Sequence, residues 1–188
     1  KEANGLAAER KAFTLQIGDS VLNGHLSSFY DGKLVQLCWS SNTVRYMVEA
    51  YLYTLAGIAS GLVHDLVLIN GKNESNVYPA NIYNISPAEA MQRLTAIVAF
   101  YKQGLQRKMV FADYFYKDIK AIQNLEDRAL LLMMDKKVNN TQFPFEDPYL
   151  LKEYAQGLFH QNGIAADFIA AAALVIAPLK EIFPSYDF

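Results

Sequence analysis

The apolar pattern changes its period along the chain. Phe13-Thr14-Leu15-Gln16-Ile17 alternates apolar and polar as a half-buried strand does, and Gly18-Asp19-Ser20 follows as a turn. Val21 to Tyr30 and Lys33 to Trp39 predict two further strands. Between them Asp31-Gly32 is a dipeptide suited to the positive φ of a two-residue hairpin. The three segments predict an antiparallel meander. Ser40-Ser41-Asn42-Thr43 then supplies helix caps, and a helix is expected from Val44 to Ser60. Its stripe is Met47, Tyr51, Leu55 and Ile58, with Tyr46, Tyr53 and Gly57 nearby, and Gly61 is a natural stop. Trp39, Tyr53 and Leu37 are expected in the core where the meander meets this helix.

Beyond it, Leu66 to Ile69 reads as a buried strand, Asn70 to Asn73 as a turn, and Val77 to Ile85 as a returning strand. Ser86-Pro87-Ala88-Glu89 is a helix start: Ser86 caps, Pro87 fits the first helical position and Glu89 closes a capping box. That helix runs to about Gly104 with Met91, Leu94, Ile97, Val98 and Tyr101 inward. Asp113 to Lys136 continues as helix, Asn139 to Pro148 is a polar loop, and Tyr149 to Phe159 and Ile164 to Phe183 are helical. Ile164 to Ile176 is the most apolar stretch, too short to span a bilayer and better suited to a buried helix. Residues 1–12 form a leader or short helix, and 13–188 a single domain. The expected class is α/β, with strands gathered in the first half and helices in the second.

Composition narrows the function. A hydrophobic content of 52% with 13% aromatics is that of a packed globular chain. A net charge of -2 removes any global attraction to nucleic acid, so a DNA contact must be local or shared with a partner. The single cysteine, Cys38, excludes an internal disulfide and suits a buried thiol in a reducing, cytoplasmic setting. Asn73-Glu74-Ser75 and Asn139-Asn140-Thr141 read as polar loops. The chain begins at Lys1, without Met or signal peptide, as would a piece of a longer protein or one whose leader has been removed.

Candidate chemistry is sparse. Cys38 and His25 could form a nucleophile and base, but a core thiol and a separate histidine is the plainer reading. His25, His64 and His160 lack metal-ligand spacing, so no metal site is expected. Glu49, Asp113 and Asp118 could form a carboxylate set, though nothing in the sequence brings them together. No phosphate loop, dinucleotide fingerprint or nucleophile elbow occurs, and no cofactor is expected. One basic cluster, Lys102, Arg107, Lys108 and Lys117 with Lys120, interleaves with Tyr101, Phe111, Tyr114, Phe115 and Tyr116. Such a cluster can grip phosphates and stack bases, or simply match a helix dipole beside core aromatics.

A hairpin leading into an amphipathic helix resembles the core of the restriction-endonuclease-like PD-(D/E)xK nucleases. In an active member the first strand ends in a metal-binding Asp, and the second carries Asp/Glu-x-Lys. The corresponding positions here are Ser27, Gln36 and Cys38. These neutral side chains cannot hold Mg²⁺, which needs carboxylate oxygens. More specifically, four blocks resemble the C-terminal domain of exodeoxyribonuclease V gamma subunits, the RecC family, over roughly Phe13 to Phe183. They are Gly24-x-Leu26 with Gly32-Lys33-Leu34-Val35; Glu49-Ala50-Tyr51-Leu52-Tyr53, where active nucleases often carry Gln-x-x-x-Tyr; Ser86-Pro87-Ala88-Glu89-Ala90 leading to Leu94, Tyr101 and Gly104; and Ala177-Pro178-Leu179. Lys108-Met109 stands where that family often shows Pro-Leu. The resemblance implies a nuclease-like domain without catalytic residues. It would contact DNA and dock the alpha and beta subunits of a helicase–nuclease that repairs double-strand breaks. Two other readings stand beside it: an active Mg²⁺-dependent nuclease using Asp19, Asp31 and Glu49, and an interaction module unrelated to DNA.

Overall fold

The computed structural model describes residues 7–40, 43–71, 76–109, 124–142 and 147–186. Five strands form one sheet in the order β1-β2-β3-β4-β5. They are β1 (Glu9–Ile17), β2 (Ser20–Tyr30), β3 (Lys33–Cys38), β4 (Asp65–Asn70) and β5 (Asn76–Pro79). The helices are α1 (Thr43–Ala59), α2 (Pro87–Gln106), α3 (Asp127–Val138), α4 (Pro148–Ala155), α5 (Ile164–Ala171) and α6 (Ala177–Ile182). A short 3₁₀ turn, Leu158–His160, precedes α5, and a π turn, Ala172–Ile176, separates α5 from α6. The molecule is therefore a mixed α/β protein with its sheet first and its smaller helices last.

β1, β2 and β3 make the expected antiparallel meander. β1 begins at Glu9, four residues before the alternation becomes regular, and buries Phe13, Leu15 and Ile17 in strict period two. The β2–β3 turn puts Asp31 at φ 48° and Gly32 at φ 82°. Gly32 is fixed twice over, because a Cβ there would also lie 1.8 Å from the His64 ring. β3 and β4 run parallel, from Lys33 opposite Asp65 to Cys38 opposite Asn70. Parallel neighbours need a long crossover, and α1 supplies it. At the start of this pair Lys33 bridges Asp65 at 3.3 Å.

Two features open the sheet near its centre. The β1–β2 register runs from Glu9 opposite Phe29 directly to Lys11 opposite Leu26, leaving Ser27 and Ser28 facing one residue of β1. This is a bulge, and Ser28 takes φ 54°, unusual for a residue with a Cβ. β2 pairs with β3 only at Phe29–Leu34 and Tyr30–Lys33, so the two strands part immediately beyond the turn.

The core lies between one face of the sheet and the helices. Met47, Ala50, Tyr51 and Leu55 of α1 join Leu26, Leu34, Leu66 and Leu68 of the sheet, and Phe159, Phe168, Ile176, Leu179 and Phe183 extend the same core into the helical half. The loop after β5 is tied to α6 by the Asn81 N–H donating to the Ile182 carbonyl at 2.7 Å. Asp127 accepts from the backbone N–H groups of Gly163 and Ala165, at 3.1 and 2.7 Å, and so caps α5 from another helix. The π turn has a covalent cause. Pro178 has no N–H for the regular ladder, and the chain adapts by letting the Ala177 N–H reach Ala172, five residues back.

Several expectations are corrected. Trp39, Leu37 and Tyr53 are 68%, 45% and 38% exposed rather than in the core. Leu34 and Cys38 are the β3 side chains that enter the core, so Leu37 and Trp39 fall at the opposite parity. Tyr53 lies on the flank of α1, beside the stripe that packs on the sheet. The strand expected from Val77 to Ile85 is confined to Asn76–Pro79. Tyr101 is exposed, and only Ala90 and Leu94 of α2 are fully buried, because the outer half of that helix borders an open groove. Ser86 does cap α2, accepting from the Glu89 N–H at 3.2 Å, but the Glu89 carboxylate turns to Arg93 at 2.6 Å instead of closing the box.

Candidate functional site

Where β2 and β3 part, they leave a cleft of about 200 Å³ lined by Ser27, Ser28, Leu34, Val35, Gln36, Leu37, Glu49 and Tyr53. The bulge presents the two serines, β3 contributes Gln36, and α1 delivers Glu49 and Tyr53 from successive turns. Ser27 and Gln36 are thus brought to one site, together with the Glu49-x-x-x-Tyr53 pair. None of Ser27, Ser28, Gln36, Glu49 and Tyr53 makes a side-chain hydrogen bond or ion pair among the described residues.

Cys38 lies apart from this opening. It is fully buried, and its thiol donates to the Ser40 carbonyl at 3.3 Å. Asn70 donates to Thr43 Oγ1 at 2.9 Å beside it. The position where the nuclease pattern would place a lysine is thus a buried thiol that does not line the cleft. Cys38 and His25 are not paired: the β2–β3 ladder ends at Phe29–Leu34, short of both, and the Cys38 thiol bonds to the Ser40 carbonyl.

The carboxylates do not gather. Asp19 and Asp31 sit on the turns at opposite ends of β2, an 11-residue strand, which sets them roughly 35–40 Å apart. Among the described residues, Glu49 is the one carboxylate lining the cleft. No group of three or more metal-ligating side chains forms among the described residues. Asp113, Asp118, Lys117 and Lys120 lie outside the described residues, as do Phe111, Tyr114, Phe115 and Tyr116.

At the C-terminal end of α2 the cations are already engaged. Lys102 pairs with Asp19 on the β1–β2 turn. Arg107 makes a two-pronged contact with Asp167 of α5, one arm at 2.8 Å. Lys108 meets Glu153 of α4 at 2.6 Å and Gln156 at 3.2 Å. The hydrogen bond from Lys102 holds the Asp19 carboxyl below its usual range, and the Asp167 carboxylate raises Arg107 above its own.

A second, larger space of about 780 Å³ runs between β2, α1 and α2, floored by Leu52, Leu94 and Val98 and rimmed by Arg45 and Tyr101. Glu49 and Tyr53 are walls common to both openings. A third cavity, about 330 Å³, lies between α1, α2 and the π turn. There the Tyr51 hydroxyl and Arg93 Nη1 are buried without a hydrogen-bond partner of good geometry. Burial pushes the Tyr51 hydroxyl up, which keeps it neutral.

Residues 1–116 match the family model of the RecC C-terminal domain, and the chain belongs to that family. The match takes in the whole sheet, α1 and α2; the Ala177-Pro178-Leu179 block lies beyond it. Membership connects the chain with exodeoxyribonuclease V, a multi-subunit complex of DNA repair and recombination. No curated protein matches the chain. No described helix is long and apolar enough to cross a membrane.

Proposed function

We propose that the chain is a restriction-endonuclease-like module without chemistry of its own, which contributes DNA and subunit contacts to an exodeoxyribonuclease V assembly in the cytoplasm. The meander, the α1 crossover and the parallel β4 support the nuclease frame. The observation that carries the loss of chemistry is the cleft between β2 and β3. It offers Ser27 and Gln36 where metal-binding acids belong and keeps Glu49 as its one carboxylate among the described residues, while Cys38 is a buried thiol outside it. A two-carboxylate or carboxylate–lysine site is needed to hold Mg²⁺ and orient a water, and one acid does neither.

DNA contact through Lys102, Arg107, Lys108 and Lys117 is the second part of the proposal. The pairs of Lys102, Arg107 and Lys108 are on the surface, where ion pairs are weak and exchange with other anions, so phosphates can compete for the same cations. The alpha and beta subunits would dock elsewhere on the module and hold it at the DNA, adding effective concentration. The purified chain should leave linear duplex and single-stranded DNA intact in Mg²⁺ or Mn²⁺. Metal-dependent cleavage that disappears in Glu49→Gln would overturn the reading in favour of an active nuclease.

A further inference from the structure

The cleft between β2 and β3 is held open at a cost. Ser28 occupies the left-handed region, and β2 gives up its ladder with β3 after two residue pairs. Strain and bulges of this kind persist where they aim side chains at something. What they aim here is a set with a single charge: two hydroxyls, one amide, and Glu49 as an acceptor. Among the described residues no cation lines the cleft to attract a phosphate, and no group of three metal ligands forms. The remaining chemistry that fits is a flat, uncharged ring with donors and acceptors on its edge. Tyr53, substantially exposed, flanks the polar groups with an aromatic face on which such a ring can stack.

We propose that this cleft is a nucleobase pocket, taking one unpaired base of single-stranded DNA with its edge against Ser27, Gln36 and Glu49 and its face against Tyr53. The inference rests on the proposed DNA binding and deepens it by naming the form of DNA and the contact. A base stacked in duplex cannot enter a space recessed between two strands, so the ligand is a single strand or a frayed end. Glu49 accepts from an exocyclic amine, and the Gln36 amide both donates and accepts, which favours adenine and cytosine over thymine, a base with no exocyclic amine. The phosphate next to the captured base has a cation available. Arg45 stands one helical turn before Glu49, at the rim of the adjoining groove, exposed and without an ion pair among the described residues. Trp39, two residues beyond Leu37, lies against Gly71 so closely that a Cβ there would come within 2.4 Å of the indole. The ring is braced on that side and 68% exposed overall, a second platform for a neighbouring base.

The test is fluorescence anisotropy of the full 188-residue chain with labelled dA, dC and dT oligonucleotides, and with an oligonucleotide of the same length whose bases are replaced by abasic sites. The phosphate count is constant, so only base capture separates them. The expected result is binding of dA and dC about tenfold tighter than the abasic strand, dT lying between, since stacking one base is worth about 1–3 kcal/mol. Tyr53→Ala and Gln36→Ala should each lower the dA affinity toward the abasic value, and Tyr53→Phe, which keeps the ring, should restore it. Equal affinity for dA and abasic strands would overturn the pocket while leaving phosphate binding by the basic cluster standing. No binding of any strand at low salt would overturn the pocket and the DNA reading together.

Discussion

The cleft between β2 and β3 and the basic end of α2 use polar side chains in contrary ways. In the cleft Ser27, Ser28, Gln36 and Glu49 face an opening and bond to nothing among the described residues. At the end of α2, Lys102, Arg107 and Lys108 each hold a carboxylate from another element. The cations look the more functional in sequence, because charge clusters are conspicuous. In the fold they are stitches, joining α2 to the β1–β2 turn, α5 and α4. The cleft residues look like mere losses from a nuclease pattern, yet they line a formed opening. Charge in a sequence marks what can bind, and partners already present in the fold determine what is still available.

The largest effect that could break this comparison lies beneath the cleft. Leu34 is buried under it, and Leu34→Ala should destabilise the chain by about 2–5 kcal/mol in denaturant unfolding. Trp39→Ala, at the exposed edge, should stay within about 0.5 kcal/mol of the parent. Equal losses for both would mean that the cleft wall is core and not a surface. Next in size is Asp127, a carboxylate used to cap a helix rather than to pair with a cation. Asp127→Ala releases two backbone N–H groups at the start of α5 and should cost about 1–3 kcal/mol, with raised amide exchange at Gly163 and Ala165.

The meander, α1, the β4 strand and the Ser86 start of α2 were legible because each rests on local rules; that β4 runs parallel to β3 was not. Period two, an Asp-Gly turn and a serine cap with proline behind it need no tertiary knowledge. The side on which Leu37 and Trp39 fall was not legible. Their strand is apolar at Leu34, Val35, Leu37 and Trp39, so its pattern does not select a face. Only α1, packing on Leu34 and Cys38, makes that choice. Ser27 and Gln36 were singled out by the nuclease resemblance, and both line the cleft. The bulge at Ser28 was not legible, since no glycine or proline marks it. The pairing of Lys102 with Asp19, 83 residues away, had no local signal at all.

A smaller effect concerns the basic end itself. In a salt series with single-stranded or forked DNA, Arg107→Ala/Lys108→Ala should bind more weakly, with a slope reduced by about 0.7–0.9 for each phosphate that is no longer neutralised. Unchanged affinity and slope would leave these cations as stitches alone. The smallest effect is one of pH. Lys102 holds the Asp19 carboxyl below its ordinary value of 3.8, so the pair contributes to stability above that pH and is lost as pH falls through the lowered folded value. Asp19→Asn should therefore flatten the acid side of the melting profile slightly and leave its shape at neutral pH alone.

The proposal of a nuclease-like frame without metal chemistry is tested most directly by titrating the chain with Mn²⁺ and Mg²⁺ in a calorimeter, with Glu49→Gln in parallel. With one carboxylate among the described residues of the cleft, the account predicts no saturable heat and identical traces for the two proteins. A stoichiometric site that vanishes in Glu49→Gln would contradict it.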